Sequence, residues 1–196
     1  VCHVPDRERR EDRQVSRTLT HVQKDIKRVK SRVRRLLEFH GLDQTMKPGA
    51  WNDADYRRLR ELELSPALRL SLDIDLDELD MLWRMEERLH AALKELAKKS
   101  RYQAGVRAKM SSPGIGWLTA TRLTLEWGDL ARFPSRRQLA GYTGLTASEY
   151  SSGATVHRGR ITGQSSREVR SWLIECSWRA IRKDPALLDV FNRVWN

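Results

Sequence analysis

The chain has 196 residues, with 37 Lys and Arg against 26 Asp and Glu, and therefore a net charge of +11. This length fits one or two small domains, and the excess of positive charge favours a polyanionic partner, nucleic acid first and an anionic membrane surface second. The longest stretch without a charged residue has 12 residues, 110–121, whereas a membrane-spanning helix needs about 20 apolar residues. We therefore predict no membrane-spanning segment.

The two cysteines, Cys2 and Cys176, lie far apart and in no metal-ligand spacing. Neither a disulfide framework nor a zinc site is indicated, so we expect an intracellular, reducing compartment. The chain begins with Val1 and has no apolar signal segment near it. We expect a processed chain or an internal piece of a longer one.

The first 40 residues show the clearest helical periodicity. Basic side chains lie between the apolar positions of this predicted helix, and we expect them to form an outer face that contacts phosphates. Gly41 is a good stop signal for this helix. The apolar spacing alternates between four and three, which is a heptad seam and predicts a coiled coil or dimer, with a long amphipathic helix packed in its own domain as the alternative. The seam residues are Val15, Leu19, Val22, Ile26, Val29, Val33 and Leu36.

Two further helices are predicted after the seam helix. Asn52 is a good N-cap for a short helix that ends near Leu64. Ser65 and Pro66 fit the N-cap and the first position of a long helix, which we expect to run to about Lys109.

Together these helices predict two domains in an all-α fold. Residues 1–104 are interpreted as an antiparallel, coiled-coil-like helical arm, and residues 105–196 as a small helical domain. The acidic run, residues 73–80, is interpreted as a solvated helix face rather than a magnesium site, because carboxylates along one helix converge poorly on a single ion.

The segment 110–120 carries the most informative local signal. Pro113 is expected to end one helix and Gly116 to start the next, so that Gly114, Ile115 and Gly116 form the turn of a helix–hairpin–helix. The glycines let a phosphate approach backbone N–H groups at a helix N-terminus, where the helix dipole favours anions. Such contacts grip the DNA backbone irrespective of sequence. A tight turn without a ligand is the alternative.

The rest of the second domain is also predicted to be mostly helical. Ser135 is predicted to be the N-cap of a short helix closed by Gly144. A polar loop or small hairpin follows over residues 145–164. Two final helices are expected, the first of them capped by Ser165 or Ser166.

The order of motifs resembles the C-terminal transposase domain of the insertion-sequence one-ten family, which is grouped with one-sixteen and nine-oh-two. The upstream helix is similar to that family's coiled-coil linker, so the resemblance covers nearly the whole chain. The matching pieces are LLEFHGL at 36–42, PGIG at 113–116, GDLARFPSRRQLAGYTGL at 128–145, EYSSG at 149–153 and RGRIT at 158–162.

The resemblance implies a recombinase that excises and inserts mobile DNA under the guidance of a structured bridge RNA. It also implies a serine nucleophile directly before the glycine of the Tyr-x-Ser-Gly stretch, which is Ser152, and a covalent phosphoserine link to DNA. A serine needs a base, a metal or positive charge to attack. Arg158 and Arg160 are expected to bind the scissile phosphate. His157 is the nearest candidate base, and Ser151 is the competing nucleophile.

The family's other catalytic part is an N-terminal RuvC-like domain whose Asp-Glu-Asp-Asp carboxylates bind a divalent metal. No part of this sequence resembles that domain. We therefore expect no metal site and no cofactor in this chain, with Mg²⁺ at the RuvC-like domain, and we expect the chain alone to be inactive in strand exchange. The expected partners are DNA, a bridge RNA and a second copy of the chain through the coiled coil, in a prokaryotic, chromosome-associated setting.

Two other function classes stay open at this point. One is a decayed transposase that only binds nucleic acid and dimerises. The other is a purely structural coiled-coil protein, which accounts for the arm but not for the turn at Gly114. Nucleic-acid binding through phosphates weakens steeply with salt, and a purely structural protein would show no such binding.

Overall fold

The computed structural model describes residues 4–45, 51–152, 155, 157–161 and 166–195. Helices dominate the regular structure of these residues, with one two-stranded antiparallel sheet, which confirms the all-α prediction. No helix in the described ranges combines the length and apolarity that crossing a bilayer requires. The elements are α1 (Arg7–Phe39), α2 (Asp53–Glu61), α3 (Pro66–Lys98), α4 (Ser100–Met110), α5 (Trp117–Trp127), α6 (Arg136–Thr143), β1 (Ala147–Glu149), β2 (Arg158–Ile161), α7 (Arg167–Ala180) and α8 (Pro185–Trp195).

The chain divides into two compact units. One is Gln14–Ala92, which contains α2 and most of α1 and α3. The other consists of Val1–Arg13 and Leu93–Asn196. The domain boundary that the sequence predicts between residues 104 and 105 stays a prediction.

The core of the Gln14–Ala92 unit lies between α1 and α3. Gln23 of α1 donates a hydrogen bond to Glu86 at 2.9 Å. Further along α1, Arg32 contacts Asp75 at 2.8 Å. The later residue of α1 thus contacts the earlier residue of α3, so these two helices are antiparallel within the unit. The buried apolar residues are Val22, Ile26, Val29, Val33, Leu37, Leu59, Leu72, Leu76, Leu79 and Leu82.

The predicted seam is the buried face of α1 from Leu19 to Val33, with a shift at each end. At the start, Ser16 is buried and Val15 is only partly buried. Leu37 is fully buried, whereas Leu36 is only partly buried beside it. A straight helix has 3.6 residues per turn, and its buried face therefore drifts away from a strict heptad. Because α3 of the same chain covers the seam, a dimer would need a different surface. Dimerisation stays a prediction.

The helix starts of the arm follow local signals. The Asn52 side chain accepts a hydrogen bond from the backbone N–H of Asp55 at 2.9 Å and caps α2. Pro66 is the first residue of α3, as predicted. The expectation that this helix continues to Lys109 is wrong. The backbone of Lys99 turns out of the helix, with ψ of 135°, and α4 begins at the next residue.

Side chains near the N-terminus contact Lys99 and stabilise the break between α3 and α4. The Lys99 ammonium lies 3.3 Å from carboxylate oxygens of Glu8 and Asp12. The buried Tyr102 hydroxyl donates a hydrogen bond to Asp12 at 2.7 Å. Burial, together with the Asp12 carboxylate, raises the pKa of Tyr102 to about 12, so this phenol stays a hydrogen-bond donor at neutral pH.

Helix α5 is central to the second unit and packs against α4 and α7. Leu123 and Trp127 of α5 and Val169 of α7 are buried together. Trp178 is 48% exposed and contacts the ring of Phe191 on α8, at a centroid distance of 5.6 Å. Partly buried residues around this core are Leu139, Trp172 and Leu173.

The acidic run on α3 forms ion pairs within the Gln14–Ala92 unit. The Arg60 guanidinium lies 2.7 Å from Asp77. Arg69 lies 2.6 Å from Asp73, and its hydrogen bonds lower the pKa of that carboxyl group. Arg32 pairs with the run from α1. The run is thus part of a network with arginines rather than a merely solvated face.

Replacing Leu76 with Ala is expected to destabilise the protein by about 2–5 kcal/mol, because it opens a cavity between α1 and α3. Urea denaturation followed by far-UV circular dichroism measures the change. The matched control is Leu70→Ala on the same helix. Leu70 is 63% exposed, so its loss should change the free energy of unfolding by about 0.5 kcal/mol or less. Equal effects of the two substitutions would contradict the packing described.

Candidate nucleic-acid site

The turn between α4 and α5 forms where the sequence predicts it. α4 ends at Met110, shortly before Pro113, which cannot continue a helix. Gly114 has a φ of +83°, a conformation that glycine adopts readily and other residues rarely. Gly116 is extended and is the N-cap residue of α5. Classification of this turn as a helix–hairpin–helix stays a prediction.

Gly114 lies directly on the backbone of α7. A Cβ atom at this position would lie 2.5 Å from the carbonyl oxygen of Cys176 and 2.9 Å from the backbone nitrogen of Ala180. Backbone atoms of a helix cannot move aside as the end of a flexible side chain does. Gly114 is therefore required for packing, whether or not the turn binds a ligand.

Gly116 has the opposite environment. A Cβ atom there would meet no atom within 4 Å. No side chain caps α5, and its first turn has no acidic residue. The first N–H groups of a helix have no acceptor within the helix, so donors lie beside an open glycine. Ile115 is partly buried between the two glycines. Of the three predicted residues, Gly116 therefore has the open backbone that a phosphate needs.

Residues 147–161 contain a small hairpin, one of the two structures that the sequence allows for this stretch. β1 and β2 pair in antiparallel fashion, with Glu149 opposite Arg158 and an irregular register towards Ala147. Beyond β1, Ser152 and Thr155 exchange two backbone hydrogen bonds of 3.2 Å. This pairing places Ser152 at the tip of the hairpin.

The two candidate serines point to opposite faces of the hairpin, because successive side chains of an extended strand alternate. The Ser151 hydroxyl donates a hydrogen bond to Glu149 at 2.8 Å. Ser152 is exposed, and its hydroxyl makes no hydrogen bond with any described residue. His157 pairs with Tyr150 and is therefore diagonal to Ser152. Diagonal positions in such a ladder are about 7–8 Å apart, within reach of an aromatic side chain, but these two side chains, both in the described part of the chain, form no hydrogen bond with each other.

Both predicted arginines belong to β2. The Arg160 side chain is exposed and forms no ion pair with a described residue, while its carbonyl accepts a hydrogen bond from Ser148 at 3.1 Å. The backbone of Arg158 pairs with Glu149, but its side chain lies outside the described part of the chain, as does all of Gly153. Arg160 thus lies beside Ser148, four residues before Ser152. At about 3.3 Å per residue along a strand, the two positions are about 13 Å apart in the hairpin.

A buried cation in α5 is absent from the sequence-based expectations. Arg122 is 5% exposed, and its guanidinium lies 3.9 Å from the ring centre of Trp172. Burial lowers the pKa of Arg122 to about 10, and the charges of Glu168 and Glu126 oppose this shift. The contact joins α5 to α7. No spacing rule indicates it, because Arg122 occupies a position that is otherwise apolar.

A group of arginines near the start of α6 was also missed. Arg132 lies against the ring of Phe133, at 4.2 Å from its centre. Arg136 and Arg137 begin α6 and are exposed. A usable signal is present in the sequence, since residues 130–148 contain these three arginines and no acidic residue.

Comparison with known proteins gives a consistent result. Residues 107–192 match the family described as "Transposase IS116/IS110/IS902 family". The chain is 29% identical over 178 residues to "Putative transposase y4qE" of Sinorhizobium fredii, which covers 89% of this chain and 42% of the relative. It is 30% identical over 83 residues to "Insertion element IS110 uncharacterized 43.6 kDa protein" of Streptomyces coelicolor, which covers 42% of this chain and 20% of the relative. The chain thus spans less than half the length of these relatives.

The two glycines of the turn should respond differently to the same substitution. Gly114→Ala is expected to destabilise the protein by about 1–3 kcal/mol or more, because the methyl group meets the backbone of α7 and φ is positive. Gly116→Ala should be tolerated, since its φ is −85° and the space is open. Thermal unfolding of both variants measures the difference. A Gly114→Ala variant as stable as Gly116→Ala would contradict the close contact.

Proposed function

We propose that this chain cuts and joins DNA during transposition, because residues 107–192 match the transposase domain of the IS116/IS110/IS902 family. The observation that carries the proposal is the exposed Ser152 at a hairpin tip within that domain. A nucleophile that attacks a DNA backbone must reach a phosphate from outside the duplex. A hydroxyl at the tip of a small exposed hairpin meets this requirement.

The proposed step is an attack of the Ser152 hydroxyl oxygen on a backbone phosphorus. A new phosphorus–oxygen bond forms to serine, and the bond from phosphorus to one deoxyribose oxygen breaks. The serine proton passes to a base, and the released deoxyribose oxygen takes up a proton. Arg160, with Arg158, is proposed to balance the charge on the phosphate. His157 is diagonal to Ser152 in the hairpin and is the proposed acceptor of this proton.

The turn at residues 113–116 is proposed to hold the DNA backbone away from the reacting phosphate. Gly116 allows close approach, and the N–H groups at the start of α5 donate to phosphate oxygens. Gly114 supports this contact indirectly, because its packing on α7 sets the position of the turn.

The remaining partners of the proposed reaction belong to other parts of the assembly. In the part of the chain that the structure describes, no three His, Cys, Asp or Glu side chains are grouped so as to hold a metal ion. These residues therefore do not fit a Mg²⁺ site, and no step here is assigned to a metal; a RuvC-like domain is the proposed source of one. The exposed basic face of α1, which includes Lys27 and Arg35, is proposed to contact a guide RNA.

A second candidate function is a module that binds nucleic acid without cutting it. The Ser152 hydroxyl makes no hydrogen bond with a base among the described residues, which favours this alternative. Both candidates predict salt-dependent DNA binding through phosphates. They differ in whether a covalent bond to DNA forms.

The test is the formation of a covalent protein–DNA adduct that survives denaturing electrophoresis, with Mg²⁺ and a RuvC-like domain supplied. Ser152→Ala should abolish the adduct, a loss of about 10³-fold or more, because the attacking oxygen is removed. DNA binding should stay nearly unchanged.

The matched control is Ser151→Ala, the adjacent serine on the opposite face of the hairpin, which should still form the adduct. The reverse result would assign the nucleophile to Ser151. Wild-type protein that binds DNA in a salt-dependent manner, yet never forms an adduct, would support the binding module instead.

A further inference from the structure

The segment that joins α5 to β1 has a concentration of unpaired positive charge. Arg136 and Arg137 are exposed, and neither forms an ion pair with a described residue. The nearest carboxylate in sequence, Asp129, accepts a hydrogen bond from the backbone N–H of Ala131 at 2.9 Å and caps a short 3₁₀ turn. We refer to Arg132, Arg136 and Arg137 as the α6 arginine cluster.

Arg132 is held in a fixed orientation. Its Nε donates a hydrogen bond to the carbonyl of Trp127 at 3.0 Å. Its guanidinium lies 4.2 Å from the ring centre of Phe133 and 4.6 Å from that of Tyr142. The two Nη groups make no hydrogen bond with a described residue. A stacked guanidinium loses little conformational entropy when its remaining donors bind a planar or tetrahedral anion.

The placement of these charges opposes the dipole of α6. A cation in the first turn of a helix is unfavourable, whereas an anion there is favourable. α6 has no acidic residue in its first turn and no basic residue in its last turn. The arrangement is therefore unfavourable in the isolated protein and becomes favourable once an anion lies over the arginines.

We infer that the α6 arginine cluster binds phosphate groups of duplex DNA as a contact separate from the turn at residues 113–116. The inference rests on the proposed function, since DNA is the substrate of that reaction. Arg132 offers a pre-oriented guanidinium. Arg136 and Arg137 add two exposed positive charges that attract neighbouring phosphates of the DNA. Because these contacts are to the backbone, they orient the DNA without reading its sequence.

The test measures binding of the full chain to a labelled DNA duplex over a series of salt concentrations. The variant is Arg136→Gln with Arg137→Gln. Each phosphate contact contributes about 0.9 to the slope of log affinity against log salt, so the slope should fall by about 2. The matched control is Arg84→Gln with Arg88→Gln on α3. These two arginines are also exposed and unpaired with described residues, and their removal should leave the slope unchanged.

A second variant tests the stacked arginine without removing charge. Arg132→Lys keeps the cation but loses the planar fork, so DNA affinity should fall about fivefold to tenfold. Far-UV circular dichroism of each variant checks that the helices are intact.

The outcomes separate this inference from the proposed function. If the wild type binds DNA and forms the covalent adduct, but the α6 variant and the α3 control change the slope equally, the inference fails and the proposed function stands. If the α6 variant loses affinity for duplex RNA but keeps its affinity for duplex DNA, the inference is also overturned. If the wild type shows no salt-dependent DNA binding, both fail.

Discussion

The turn at residues 113–116 depends on contact between two backbones. Because Gly114 has no side chain, the turn lies on the carbonyl of Cys176, in a space where a Cβ atom does not fit. This contact, with the packing of Leu123 between α5 and α7, holds the end of α4 and the start of α5 in place. Gly116 of the same turn is exposed, with no atom within 4 Å of the position that a Cβ would take. The candidate phosphate contact therefore lies in a turn whose position is fixed by packing.

Much of the arm could be predicted because its signals are local. A helix N-cap at Asn52 and a proline at the first position of α3 act through neighbouring backbone groups. The break at Lys99 could not be predicted in this way. Its ammonium binds Asp12, which lies 87 residues earlier, and no local pattern encodes such a contact. The shift of the buried face to Leu37 has a simpler cause, because a straight helix does not keep a strict heptad.

The sequence predicted the residue types of the candidate site more fully than the arrangement of those residues in space. Sequence reasoning treated Gly114 and Gly116 alike, because their difference lies in the contact of Gly114 with the backbone of α7, which no local pattern encodes. It left Ser151 and Ser152 as competitors, and the alternation of side chains in the hairpin now separates their environments. It missed Arg122, because a cation on an aromatic ring inside the core leaves no periodic trace in the sequence.

The distribution of ion pairs decides where positive charge stays available. Total charge shows an excess of basic residues but not which of them are neutralised. In the Gln14–Ala92 unit, the acidic run binds arginines such as Arg60 and Arg69. In the other unit, Asp129 accepts a hydrogen bond from a backbone N–H and Glu149 accepts one from a hydroxyl instead. These two carboxylates leave arginines such as Arg136 unpaired among the described residues. These unpaired arginines lie in the same unit as the candidate nucleophile, where attraction to a phosphate backbone would position DNA for attack.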